Sequence, residues 1–221
     1  MALLKTHLTR IPHGEEEIIF EYPPFKGEYE EVVETIELTP LTIPFSSQIA
    51  SLIYDAWIYP IGEYQFKILN SLKKNFIWEF TGNLYLPKSN DEIANGVILE
   101  HNPKIINGKM TMDKSSLIKR LYENDSLVKF VPFGFKTGEQ NWKELEKNQY
   151  VIERYGPEGA EKVAEVASKY KNNPFLYCFD SVKQEKVAKS TIDVDFKGKS
   201  LDICGDIFGN FDGDAFGLFE K

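Results

Sequence analysis

The chain has 221 residues, of which 42% are hydrophobic and 27% charged, and it carries a formal net charge of −8. That balance excludes intrinsic disorder and fits a folded chain long enough to bury a substantial core. The negative charge disfavours uniform, phosphate-driven binding to nucleic acid and leaves only local lysine pieces for it, Lys73–Lys74 and Lys183–Lys189.

Arg10, Arg120 and Arg154 are the only arginines, so side-chain forks for phosphate or carboxylate are scarce. Cys178 and Cys204 sit in apolar, strand-like stretches without CxxC spacing or a neighbouring His. They read as buried thiols, and nothing in the sequence demands that they pair. The opening MALLKTHLTRIPH has no long apolar stretch, and the uncharged run from Leu38 to Tyr54 is broken by Pro40 and Pro44. Neither a signal peptide nor a membrane span is read there, so the expected location is the cytoplasm.

Without a repeat or low-complexity linker, one domain over 1–221 is expected, with PKSNDEIANG (87–96) as the one candidate break. From the N-terminus, Ile18, Phe20 and Tyr22 alternate, as do Val32, Ile36 and Leu38, which predicts two strands joined by a Pro/Gly loop. Ile49, Leu52, Ile53, Ala56 and Trp57 have helical spacing after Ser46 or Ser47 as cap, and Pro60 ends that helix. Ile61, Tyr64, Ile68 and Leu72 mark a second helix over about 61–74, so a helical hairpin is expected over about 46–74. Strands are predicted at 77–86, with a bulge at Gly82, at 96–100 and at 109–112, the last after an Asn107-Gly108 turn. Asp113 caps a helix near 114–123, and 126–133 forms another strand. Thr137 and Gln140 have capping-box spacing ahead of Trp142 and Leu145. A helix over 157–171 opens on Pro157 and carries Glu158–Lys162 and Glu165–Lys169 pairs. Strands at 174–179, 190–196 and 200–207 close the chain. The order is irregular, which predicts α+β: a mixed, largely antiparallel sheet with helices on it.

Familiar catalytic patterns are incomplete. Ser116-Leu-Ile-Lys119 and Lys136-Thr-Gly138 lie too close together, with no SxN between them, to serve as the elements of serine penicillin-binding enzymes. His7, His13 and His101 offer no zinc spacing and no visible triad. His101 stands at a strand-to-loop junction, but Glu100 beside it points to the opposite face. Glu79, Asn83 and Gln65 are polar residues within apolar segments, explained by alternation and burial without chemistry.

The acidic C-terminus is more specific. Ile192, Val194 and Phe196 alternate with Asp193 and Asp195, and Lys197-Gly198 or Gly198-Lys199 makes a tight turn. The first turn sets Asp193 opposite Asp202; the second sets Asp195 opposite Asp202. Like charges across a ladder cost roughly 0.2–1 kcal/mol, which solvent, a lysine or a bound cation must offset. Asp206 shares the side of Asp202, and Asn210, Asp212 and Asp214 could add oxygens. Asp193, Asp195, Asp202, Asp206, Asp212 and Asp214 are therefore the candidate ligands for Mg²⁺ or Ca²⁺; the alternative is a solvated acidic face with no cofactor. Cys204–Asn210 departs from the GDxHG motif of metallophosphoesterases at its metal-binding His, where Phe208 stands. An EF-hand reading of the Asn210 loop fails at Ala215 and Lys221.

The function expected from these residues is a non-catalytic interaction or regulatory protein that binds a macromolecular partner, a protein rather than nucleic acid. The alternative is a divalent-metal-dependent hydrolase or transferase acting on a phosphorylated substrate through the C-terminal aspartates. The sequence is silent on oligomeric state.

Overall fold

The computed structural model describes residues 7–60 and 62–219. Its elements follow in chain order: β1 (His7–His13), β2 (Glu16–Tyr22), β3 (Phe25–Gly27), α1 (Tyr29–Glu37), α2 (Ser46–Ile58), α3 (Glu63–Lys74), β4 (Ile77–Leu86) and β5 (Gly96–His101). Next come β6 (Ile105–Ile106), β7 (Lys109–Met110), α4 (Lys114–Tyr122), β8 (Val128–Pro132), β9 (Gly138–Glu139), α5 (Trp142–Glu146) and α6 (Gln149–Ser168). The chain closes with β10 (Phe175–Tyr177), β11 (Lys186–Val194), β12 (Leu201–Ile207), β13 (Gly213–Ala215) and β14 (Leu218–Phe219). This is the expected α+β architecture. The main sheet runs β3-β13-β4-β11-β12-β10-β9, with β5 and then β8 added to the upper part of β4. Among the described residues only β10 with β12 and β13 with β4 pair in parallel; the remaining ladders of this sheet are antiparallel. The two ends of the described chain meet in a smaller sheet, β1-β2-β14.

The helical hairpin forms as α2 and α3; Ile61, placed in its second helix, lies outside the described residues. The second half of α6 starts where Pro157 predicts. Gly156, at φ +71°, breaks the helix, and Pro157 resumes it at the position where a missing N–H costs least. Asn107 and Gly108 both take positive φ in the β6–β7 turn, and Asp113 accepts the Ser116 N–H at 2.8 Å as the cap of α4. Residues 87–95 form the loop between the paired strands β4 and β5.

Three local readings are corrected. Residues 29–37 form a helix, not a strand, because Tyr29, Val32, Val33 and Ile36 are buried at i, i+3, i+4 and i+7 while Leu38 is 89% exposed. The N-cap of α2 is Phe45, whose N–H donates to Gln48 Oε1 at 2.8 Å; Ser46 is drawn into the core and bonds Thr81 Oγ1 at 2.7 Å. Asn141 and Glu144, not Thr137 and Gln140, form the capping box of α5, with both bonds at 3.0 Å. Gln140 instead bonds the Lys136 carbonyl and Asn148.

The larger core lies between the sheet and helices α2, α3 and α6, and a second core forms where α1 packs Tyr29, Val32, Val33 and Ile36 on Trp78 and Phe80. A polar knot joins α6 to the sheet. Glu79 on β4 and Arg154 on α6 form an ion pair whose side chains are both 0% exposed. Tyr155 donates to the same Glu79 oxygen at 2.9 Å, and Arg154 also donates to the carbonyls of Cys204 (3.0 Å) and Thr191 (3.1 Å). Tyr150 donates to Asn83 at 2.7 Å, Asn83 to Ser190 Oγ at 2.8 Å, and Tyr85 to the Gly205 carbonyl at 2.8 Å. These partners gather where β11 slips register against both β4 and β12. A bulge withdraws carbonyls from the ladder, and a buried carbonyl must find another donor. Arg154 and Tyr85 supply it.

Removing one member of a buried pair strands the other charge, at about 3–5 kcal/mol. Glu79→Leu should lower the unfolding free energy by about that amount in urea titration, and adding Arg154→Met should recover part of it. The recovery stays incomplete because the Cys204 and Thr191 carbonyls lose their donor.

Candidate functional site: the open face of the C-terminal strands

Alternation sorts the last long strands onto two faces. Leu176, Ile192, Val194, Leu201 and Ile203 enter the helical core. The opposite face receives Asp193 from β11, Asp202 and Cys204 from β12, and Phe175 and Tyr177 from β10. The register places Asp193 opposite Asp202, Phe175 beside Asp202, and Tyr177 beside Cys204. This is the register that the Lys197-Gly198 turn predicts, with Gly198 at φ +68° and its N–H on the Asp195 carbonyl at 2.7 Å. Phe196 at the hairpin tip does not join the core face of Ile192 and Val194; it is 93% exposed.

Two adjoining depressions of about 500 and 440 Å³ share Asp195, Phe196 and Asp202. Phe175, Tyr177 and Glu139 wall the first, and Phe76, Asp193 and Asp212 the second. Burial, then the neighbouring charges of Asp202 and Asp195, pushes the Asp193 carboxyl up to about 7. Burial pushes Asp202 up to about 6, opposed by the Ser200 hydroxyl that donates to it at 3.3 Å. Asp206 is also raised by burial, but it lies at the bulge and lines neither depression. Asp195, slightly desolvated, is nevertheless held below the usual carboxylate range by the N–H groups of Lys199 and Ser200. Asp214 is 1% exposed, taking Asn75 Nδ2 at 3.3 Å and facing Lys26 Nζ at 3.8 Å.

The six aspartates adjacent in sequence are therefore distributed in space. Asp193 and Asp202 come together, Asp195 serves the turn, Asp212 stands at a rim, and Asp214 is enclosed by protein donors. Among the described residues, no three His, Cys, Asp or Glu side chains gather closely enough to hold a metal ion. Sequence reasoning did not assign Phe175, Tyr177 and Phe196 to this face. The alternation of 174–179 was visible, but the parallel pairing that sets β10 beside β12 was not.

Elsewhere, His101 joins a chain of hydroxyls, Ser46 to Thr81 at 2.7 Å and Thr81 to His101 Nδ1 at 2.9 Å. Burial, then Arg154 and Lys129, lowers His101 to about 4, so the imidazole is neutral at physiological pH. It opens on a cleft of about 500 Å³ with Phe45, Ser47, Lys129 and Pro157. Glu100 turns away to Arg120. Cys178 and Cys204 are free thiols, both raised by burial, Cys178 to about 11.

No protein-family model matches the chain, and no curated protein does. A solved structure described as "Accommodation of massive sequence variation in Nanoarchaeota by the C-type lectin fold" superposes with a TM-score of 0.60. The match covers 94% of this chain and 100% of that one, at 15% identity. This chain has the C-type lectin fold. In this C-type lectin-fold chain the open face belongs to the sheet, on the side away from α2 and α6.

The raised carboxyls have a consequence for stability. A carboxyl whose folded value lies above its unfolded value binds more protons in the native state, so stability falls as pH rises between the two values. For Asp193 that window runs from about 4 to about 7. Asp193→Asn should therefore raise the melting temperature at about pH 8 and leave it nearly unchanged at about pH 4, measured by calorimetry at both.

Proposed function

We propose that the protein is a non-catalytic binding protein that engages a protein partner through the open face of β10, β11 and β12. The observation that carries this reading is the composition of that face. Tyr177 is 40% and Phe196 93% exposed, beside half-buried carboxyls that face each other across the hairpin. Aromatic rings left in water beside desolvated polar groups are typical of recognition surfaces, where they provide large contact area at low entropic cost. The neighbour's description, a C-type lectin fold that accommodates massive sequence variation, supports a fold that presents varied surfaces. The reading does not use the aspartates for phosphate chemistry, because Asp195 and Asp214 already accept protein donors. Two unbridged cysteines suit a reducing compartment such as the cytoplasm.

Panning a random peptide library on the immobilised chain tests the reading. Peptides selected on the wild type should lose binding to Tyr177→Ser/Phe196→Ser and keep it on Phe66→Ser, which removes a 63% exposed ring on α3. Peptides indifferent to Tyr177 and Phe196 would overturn it.

A further inference from the structure

The two depressions on the open face form one trough running across the strands. Its ends are Asp212 and Phe76 beside the start of β4, and Glu139 on β9. From Phe76, just before β4, it crosses β11, β12, β10 and β9, which follow β4 consecutively in the sheet. At ~4.8 Å per strand the trough is about 19 Å long, the reach of about six extended residues at ~3.3 Å each.

Its charge is one-sided in the middle, where Asp193, Asp195 and Asp202 lie; Lys73 and Lys74 stand with Asp212 at one end and Lys171 with Glu139 at the other. Charge alone would suit a solvated edge. The walls are a separate observation. Phe175 and Tyr177 have ring centroids 4.2 Å apart, and Phe196 projects from the hairpin tip. The protein's own Lys197 already places its ammonium 5.2 Å from the centre of the Phe196 ring. A ring face and a carboxylate together attract an ammonium or guanidinium more strongly than either does alone.

We propose that this trough holds an extended basic segment of the partner protein, about six residues long, with Lys or Arg side chains set between the Phe175–Tyr177 rings and the Asp193–Asp202 pair. The inference rests on the open face being the binding surface, and it adds the charge, length and direction of the bound chain. The segment crosses the strands, so it does not extend the sheet at its β9 edge.

Fluorescence anisotropy with labelled hexapeptides tests it on the full chain. A peptide of alternating Lys and Ala, and its Arg counterpart, should bind, whereas the Glu counterpart should not. Affinity should fall about tenfold between about 50 and about 300 mM NaCl. Asp193→Asn/Asp202→Asn should weaken binding about tenfold while preserving the fold, because it removes opposed charges. Equal binding of the acidic peptide, an unchanged affinity in the double variant, saturation of the face by Ca²⁺ or Mg²⁺ alone, or self-association through it would each overturn the proposal. Library peptides that need Tyr177 and Phe196 but carry no basic residue would sink this inference and leave the binding reading standing. Library peptides that ignore both rings would sink the reading itself.

Discussion

Glu79 and Arg154 set the geometry on which the rest of the molecule depends. Both charges are removed from water, so each is tolerable only while the other stays in place. The pair joins the sheet to α6, and the remaining guanidinium donors reach the Cys204 and Thr191 carbonyls beside the register shift. The irregular ladder and the helix thus meet at Arg154. Because the helical side is committed in this way, the face left open is the other side of β10, β11 and β12.

That other side is divided by α1. Tyr29, Val32, Val33 and Ile36 cover Trp78 and Phe80, which closes the face over β4. The face beyond β4 keeps its aromatics and carboxyls at the surface, on strands anchored from behind by the larger core. A binding surface on rigid strands holds its side chains in fixed relative positions, so less order has to be imposed on binding. The raised Asp193 and Asp202 carboxyls reflect the same half-burial: the floor of the trough is partly removed from water by the protein itself.

Much of this was legible in the residues, and the reasons for the exceptions are physical. The β11–β12 hairpin was legible as two registers, Asp193 or Asp195 opposite Asp202, because alternation fixes which face the aspartates take but not which of the two turns at Gly198 forms; the structure has the first. The helix start at Pro157 was legible from local composition, but the helical turns before it, over 149–155, were not. Helix α1 was misread because Val32, Ile36 and Leu38 satisfy a period of two until Tyr29 and Val33 are included. Glu79 could be recognised as a polar residue in an apolar strand, but its partner lies 75 positions away and no local pattern connects them. The acidic tail looked like one ligand set because its aspartates are close in sequence. Pairing and bulging then sent Asp206 and Asp214 elsewhere, and long-range parallel pairing brought in Phe175 and Tyr177, which a reading by local period misses.

The central claim is that recognition takes place on the strand face opposite the Glu79–Arg154 anchor. Mapping amide chemical shifts by NMR during titration with the alternating Lys-Ala hexapeptide addresses it most directly. The account predicts perturbations concentrated at 139, 175–177, 193–196, 200–204 and 212, with α2 and α6 unmoved. Perturbations centred on the His101 cleft or on the helices, with the C-terminal strands silent, would contradict it.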